Sequence, residues 1–484
     1  MGIRKRIKSL LASGGVKVGQ LDQAAVLHPY SRKPTLKVKP LSSPSSIPDD
    51  IVVTEDYRAV LEAIDAKAPI VFVSGKAGTG KSTLIQWLVG QKKHQTAIVA
   101  PTGIAALNVG GATVHSFFRL PPRLIEPQDI QTVTQRTIYK RLELLIVDEV
   151  SMVRADLMDG MGWFLEKNGP RPGEPFGGVQ VLLVGDLFQL PPVVDQHDLH
   201  TFFRRVYRSP YFFSAKVWRD ASIIPVELDR VFRQRDPSFA DLLNQIREGR
   251  DVVEAINVIN ARCHGRTGAS GAGLNVTLTP TNRVADARNT RALARLHGRS
   301  TIYSGTFEGD FDARSERLPS PQNLKLKSGA QVMFTKNDPG KRWVNGTLGI
   351  VRELGRDQVR VELVFSPSRA IVDVAPVSWE SIKYRWDEET KTINKEITGQ
   401  YVQIPLMLAW ATTIHKSQGK TLDAVEIDLE GGAFASGQVY VALSRCREIE
   451  NITLTRPIRP TDVLCDAEIG RFYAEMHRLA DGGQ

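Results

Sequence analysis

Eight consecutive residues, Gly75-Lys76-Ala77-Gly78-Thr79-Gly80-Lys81-Ser82, carry the spacing GxxxxGK[ST] and follow an apolar run ending at Ser74. Glycines so placed let backbone N–H groups close around phosphates, the lysine reaches the β and γ phosphates, and the hydroxyl is offered to Mg²⁺. Gly75, Gly78, Thr79, Gly80, Lys81, Ser82 and Thr83 are the nucleotide-binding candidates, with Ser82 also a metal ligand. Hydrolysis needs in addition a carboxylate near the metal and a base for water. Asp148 and Glu149 stand together after the apolar run 144–147. Asp148 is placed to hold Mg²⁺ through water, and Glu149 to orient and deprotonate the attacking water. Gln189, past the next apolar run, can hydrogen-bond a γ phosphate and report its loss. Arg233 and Arg445 can reach that phosphate only across a cleft, where insertion makes hydrolysis depend on closure. By residue type alone, each arginine reads as a surface ion-pair partner.

Positioning these groups takes strands that end where the motifs begin. Short apolar runs at 70–73, 97–100, 144–147 and 179–184 each lead into a polar or Gly-rich turn. Continuous apolar strands alternating with helical stretches indicate a buried parallel sheet. A second such series lies at 276–279, 406–411, 425–429 and 452–454. From 329 to 403 the texture changes to alternating strands and turns, among them Asp338-Pro339-Gly340 and Asn345-Gly346, which predicts a small β domain inserted in the second α/β domain. The expected division is a basic arm 1–50, a first α/β domain 51–225, a second in two parts 226–328 and 404–484, and the insertion 329–403.

The chain has 484 residues, 42% of them hydrophobic, and a net charge of +10. That is enough apolar material for several cores and excludes disorder, collagen or coiled coil as a description of the whole. No apolar run approaches the ~20 residues of a membrane-spanning helix, so a soluble protein without membrane partners is expected. Cys263, Cys446 and Cys465 are the three cysteines; their spacing offers no zinc site and suits a reducing compartment. The first fifty residues hold nine Lys and Arg against three Asp and are rich in Pro and Ser. They read as a disordered arm, either a solvated leader, an electrostatic tether to a phosphate backbone or an organelle transit peptide.

In chain order stand GKAGTGKST (75–83), APTGIAA (100–106), TVHSF (113–117), IVDEVSM (146–152), PFGGVQVLLVGDLFQLPPV (175–193), FRQ (232–234), VNGTLG (344–349), TTIHKSQGKTLD (412–423) and GQVYVALSR (437–445). This set resembles the petite-integration-frequency (Pif) group of DNA helicases, relatives of RecD and Dda in superfamily one, type B, over about residues 55–456. The resemblance implies an α/β fold of two RecA-like P-loop domains with a Src-homology-three-like barrel inserted in the second. It implies an ATP- and Mg²⁺-dependent motor moving 5′→3′ on single-stranded DNA and separating tailed or forked duplexes, a monomer, cytoplasmic at a bacterial nucleoid or mitochondrial or nuclear in a eukaryote. It assigns Lys81, Glu149, Gln189, Arg233 and Arg445 to hydrolysis, and Ser82 and Asp148 to the metal. Pro101, Thr102, Gly103, Thr113, His115, Ser116, Thr413, His415, Lys416 and Ser417 are assigned to the single-strand track.

These track residues are small donors and a lysine suited to phosphate oxygens, so sequence-tolerant binding is expected. Phe117, Phe118 and Trp410 read either as stacking platforms or as core. The segment 117–140 is a compact insertion with little room for a large wedge, which keeps open a DNA-stimulated ATPase that remodels protein–DNA complexes without unwinding. A small-molecule NTPase is the third reading. Where relatives place a Gln that reads adenine, Tyr57 stands here; a Tyr stacks on a base but lacks the paired donor and acceptor of an amide. Residues 158–173 replace a basic helical signature of eukaryotic members, which makes the chain look like a bacterial one.

Overall fold

The computed structural model describes residues 51–91, 95–134, 136–194, 197–218, 223–234, 236–265, 275–313, 318–364 and 370–480; the basic arm lies outside them. The first sheet is built from β1 (Ile70–Gly75), β2 (Thr96–Ala100), β3 (Ala112–Thr113), β4 (Leu144–Val147), β5 (Gln180–Gly185) and β6 (Ile223–Leu228). Their order is β3-β2-β4-β5-β1-β6, and every pairing is parallel. β1, β4 and β5 are buried at every position, as their unbroken apolar sequences require when both faces are covered. The order sets β1 beside β5 and β5 beside β4. The phosphate loop, the acidic pair and Gln189 therefore emerge side by side at the carboxyl edge of one sheet, where open α/β sheets bind ligands.

The second parallel sheet has the order β18-β7-β19-β20, from β7 (Val276–Thr279), β18 (Ala411–Thr413), β19 (Val425–Ile427) and β20 (Ile452–Leu454). Between β7 and β18 lies the antiparallel insertion: β8 (Thr301–Ser304), β9 (Thr306–Gly309), β10 (Asn323–Leu326), β11 (Gln331–Phe334), β12 (Leu348–Leu354), β13 (Val359–Leu363), β14 (Ile371–Val374), β15 (Val377–Asp387), β16 (Thr392–Gln403) and β17 (Leu406–Leu408). Five of these form a sheet in the order β14-β13-β12-β11-β17.

Three boundaries differ from the sequence expectation. The insertion begins near 301 rather than 329, because β8, β9 and β10 are four-residue strands with exposed polar positions and no apolar run to announce them. The single strand expected at 406–411 is two: β17 pairs antiparallel with β11, and β18 joins the parallel sheet beside β7. The first sheet continues through Leu228, past the expected limit of 225.

The chain's last described helix, Ala467–Ala480, also returns to the first domain. Its Ile469, Phe472, Tyr473 and Met476 recur at helical spacing and bury in the core that contains Phe72 and Phe212. Phe472 meets the Phe72 ring edge-on at 5.4 Å and stacks on Phe213 at 4.5 Å. The long β15–β16 hairpin of the insertion reaches the first domain as well. The Tyr384 hydroxyl accepts from the Ile98 amide (2.9 Å) and donates to the Ile98 carbonyl (3.1 Å) on β2. Trp386 and Ile393 share the core of Phe117, Phe118 and Tyr139, and the Arg141 guanidinium sits 5.2 Å over the Trp386 ring.

Candidate nucleotide site and nucleic-acid track

Gly78 and Gly80 hold φ of 87° and 84°, conformations open to glycine, and so bend the loop around its own amides. A Cβ on Gly78 would lie 2.5 Å from that of Arg233, so the glycine also admits a residue from beyond β6. The Phe232 amide donates to the Gly78 carbonyl at 2.9 Å and fixes this approach. Lys81, at the start of the helix Lys81–Gln91, donates through Nζ to the Gly75 (2.7 Å) and Lys76 (2.9 Å) carbonyls. Burial lowers its pKa, opposed by the charges of Asp186 and Glu149.

Asp148 and Glu149 follow β4 directly. Asp148 is 6% exposed, and burial, reinforced by the Glu149 charge, raises its pKa to about 7. Burial raises Glu149 too, against the pull of Lys81 and Arg445. Glu149 adopts φ 50°, a left-handed backbone that is strained for a residue with a Cβ and that recurs at functional sites. The hard oxygens of Ser82 and Asp148, with a buried carboxyl short of positive charge, fit a Mg²⁺ ion held mainly through phosphates.

The arginines close the site from the other side. Lys81, Ser82, Glu149, Gln189, Phe232, Arg233 and Arg445 line one cleft. Arg233 donates to the Ser444 carbonyl at 3.1 Å. Arg445 is 1% exposed and held in place by its own domain: Nε donates to the Val441 carbonyl (2.7 Å), Nη1 to the Ser417 and Lys420 carbonyls (3.2 Å each), and Nη2 to Ser444 Oγ (2.7 Å). Burial, then the nearby Arg233, drives the Arg445 pKa down to about 9, and burial lowers that of Arg233. A buried arginine together with a part-buried arginine and lysine, all with depressed pKa values in one cleft, is a ready receptor for a polyphosphate.

Two residues unremarked in the sequence join this site, and one expected there departs. Gln418 donates from Nε2 to Glu149 Oε2 (3.2 Å) and Gln189 Oε1 (3.4 Å), so a side chain of the second domain touches both the base and the γ-phosphate candidate. Phe232 is 42% exposed on the cleft wall, with the Arg230 guanidinium 5.0 Å over its ring. Tyr57, expected to stack on a base, is 2% exposed; its ring packs on Trp87 and its hydroxyl donates to the Gly80 carbonyl at 2.8 Å. It props the phosphate loop from behind. Only tertiary placement distinguishes these cases, although Gln418 sits inside the quoted TTIHKSQG run.

The track candidates divide by burial. Thr102, Thr113 and Thr413 each cap a short helix, accepting from the amides of Ala105 (3.2 Å), Ser116 (3.2 Å) and Lys416 (3.1 Å). Pro101, Thr102, Gly103, Thr113, His115, His415 and Lys416 keep partial exposure and Ser116 is exposed. Thr413 and Ser417 do not: Thr413 is 3% exposed, and Ser417 is wholly buried with its hydroxyl on the Ile414 carbonyl (2.7 Å). Those two hold the helix and face no track. Phe117 and Phe118 are core, in edge-on contact with each other at 4.8 Å.

A parallel sheet that carries a phosphate loop and acidic pair, faced across a cleft by a second parallel sheet with Arg445 just past the end of the helix Gln438–Leu443, defines a P-loop nucleoside triphosphatase of two RecA-like domains. A family model described as PIF1-like helicase matches residues 52–258. Over 456 residues the chain is 34% identical to the human ATP-dependent DNA helicase PIF1, covering 92% of this chain and 66% of that one, just under two thirds of its length. It is 33% identical to the ATP-dependent DNA helicase Pif1 of Bdellovibrio bacteriovorus, over 84% of this chain and 89% of that one. Pif1 from Bacteroides is similar in structure: its complex with ADP-AlF4 gives a TM-score of 0.78 at 32% identity, covering 90% of this chain and 98% of that one. Its single-stranded DNA complex gives 0.64 at 33%, covering 90% and 99%. The chain belongs to the PIF1-like helicase family.

Proposed function

We propose that this protein is an ATP-dependent DNA helicase that translocates 5′→3′ on single-stranded DNA as a monomer and opens tailed or forked duplexes in genome maintenance. The observation that carries the reading is the placement of residues 412–418. One short segment offers His415 and Lys416 at partly exposed positions and sends Gln418 into the cleft against Glu149 and Gln189. A change at the nucleotide is thereby transmitted to residues suited to a DNA backbone.

In this reading the loop amides and Lys81 hold the phosphates, and Glu149 takes a proton from the attacking water while Gln418 and Gln189 fix its orientation. Arg233 and Arg445 neutralise charge on the transferred phosphoryl group when the cleft closes. Ser82 and Asp148 would hold a Mg²⁺ ion, which when bound would supply Lewis-acid stabilisation of the phosphate oxygens. Phe232 stacks on the base, which favours nucleotides without selecting among them. The insertion is taken as a Src-homology-three-like barrel. No described helix is long and apolar enough to cross a membrane; action on DNA is what would place the protein at a nucleoid in the cytoplasm.

The reading is tested by strand displacement on duplexes with a 5′ or a 3′ tail: unwinding of the 5′-tailed substrate only is expected, and unwinding from the 3′ tail only would reverse the polarity. One observation favours the alternative of remodelling without unwinding. In the segment 117–140, Ile125, Ile130, Val133, Ile138 and Tyr139 are all buried in the first domain's core, which leaves little to protrude as a wedge. ATP turnover stimulated by DNA without displacement of either duplex would select that alternative.

A further inference from the structure

Behind the phosphate loop the two RecA-like domains are joined by a buried polar cluster that none of the roles above requires. Tyr440 stands on the helix Gln438–Leu443 of the second domain, five residues before Arg445. Its hydroxyl accepts from the Ala77 amide of the phosphate loop at 2.8 Å and donates to Asp186 Oδ2 at 3.1 Å. Asp186, at the tip of β5, also accepts from Gln189 Nε2 (3.2 Å) and pairs through Oδ1 with Arg247 Nε (3.2 Å) and Nη2 (3.1 Å). Tyr440, Asp186 and Arg247 are exposed by 3%, 1% and 4%. The Arg247 guanidinium lies 4.4 Å over the Phe188 ring, which stacks on Tyr473 at 5.0 Å.

The same helix is also fixed at its start. A Cβ on Gly437 would lie 2.3 Å from the carbonyl oxygens of both Phe188 and Gln189, so the helix begins flush against the first domain only because that residue is glycine. One rigid helix thus touches the first domain at Gly437 and Tyr440 and delivers Arg445 a turn later. In a buried, low-dielectric site a hydroxyl that both accepts and donates fixes a direction as well as a distance.

We propose that Tyr440 is a positioning residue for hydrolysis: its hydroxyl, clasped between the Ala77 amide and the Asp186–Arg247 pair, docks the helix that leads into Arg445 on the phosphate loop and sets where Arg445 stands relative to the γ phosphate. The inference rests on the ATP-hydrolysis reading above. Tyr440 touches no reacting atom and acts through Arg445, so its loss shows in turnover rather than in nucleotide binding. It also ties Gln189 and the loop to one anchor, so the γ-phosphate contacts move together.

The test compares the wild type, Tyr440→Phe, Arg445→Ala and the double variant by steady-state ATP turnover with and without single-stranded DNA, by affinity for a fluorescent ADP analogue, and by thermal unfolding. Tyr440→Phe keeps the ring and removes only the hydroxyl. The expected result is a fall in kcat of about tenfold, the rate equivalent of one buried hydrogen bond, with KM and ADP affinity within about twofold. In the Arg445→Ala background the same change should slow turnover no further, because the two act as a unit. Unchanged kcat in a folded Tyr440→Phe, or losses that multiply independently with Arg445→Ala, would overturn the inference and leave the hydrolysis reading intact. Should Tyr440→Phe fail to fold, Asp186→Asn, which keeps the shape and removes the charge that receives the hydroxyl, takes its place under the same criteria. A wild type that hydrolyses no ATP with or without DNA removes both.

Discussion

Asp148 ties the site's chemistry to a measurable pH effect. Its carboxyl titrates near 7 in the fold, against an ordinary value of 3.8, because burial and the Glu149 charge disfavour the ion. A raised acid contributes stability below its unfolded pKa, and that contribution is lost as pH rises through the folded value. Asp148→Asn removes the penalty. Its thermal midpoint should draw progressively above that of the wild type between about pH 4 and about pH 7 in the absence of nucleotide and stay level above that, while hydrolysis is lost. A gap that does not change with pH would show that Asp148 is not the strained acid. Glu149→Gln should abolish turnover and leave ADP affinity within about threefold, since the base acts only on the transition state. Normal turnover would remove Glu149 from that role. Tyr57→Phe should leave the ratio of KM for ATP to KM for GTP unchanged, because Tyr57 faces Gly80 rather than a base; a shifted ratio would restore it to the nucleotide. At this scale the sequence was readable wherever a motif is local. Lys81, Ser82, Asp148 and Glu149 are adjacent to the strand ends that place them. Gln418, Phe232 and Tyr57 take their roles from neighbours as far as 269 residues away, and residue type does not reveal those.

Among the elements, the parallel strands with unbroken apolar runs were legible, because burial on both faces leaves one kind of sequence. The insertion was legible in texture but not in extent. The short strands β8 to β10 carry no apolar signal, and the run 406–411 contains no turn residue to reveal that β17 and β18 serve different sheets. The hairpin β15–β16 gave no sign that it reaches the first domain, since that contact is a property of tertiary structure. Tyr384→Phe tests it. The variant leaves the Ile98 amide and carbonyl on β2 without their hydroxyl partner, at a cost of about 1–3 kcal/mol in denaturant unfolding; no cost would mean that the hairpin does not seat there. Phe472→Ala should cost about 3 kcal/mol and destabilise the first domain rather than the second, because the helix Ala467–Ala480 fills the core beside Phe72.

The whole molecule couples two parallel sheets through a cleft where each supplies what the other lacks: the first domain brings the phosphate loop, the acids and Gln189, and the second brings Gln418 and Arg445. Its net charge of +10 favours a polyanionic partner without naming one. The segment that carries Gln418 into the cleft also carries His415 and Lys416, so under the proposed function ATP hydrolysis and DNA binding are one process. The most direct measurement is ATP turnover with and without single-stranded DNA, repeated across salt, with Lys81→Ala as the blank. Strong stimulation by DNA that weakens as salt rises is expected, because contacts to the DNA backbone release counterions. Equal turnover with and without DNA would contradict it and return the protein to the small-molecule NTPases.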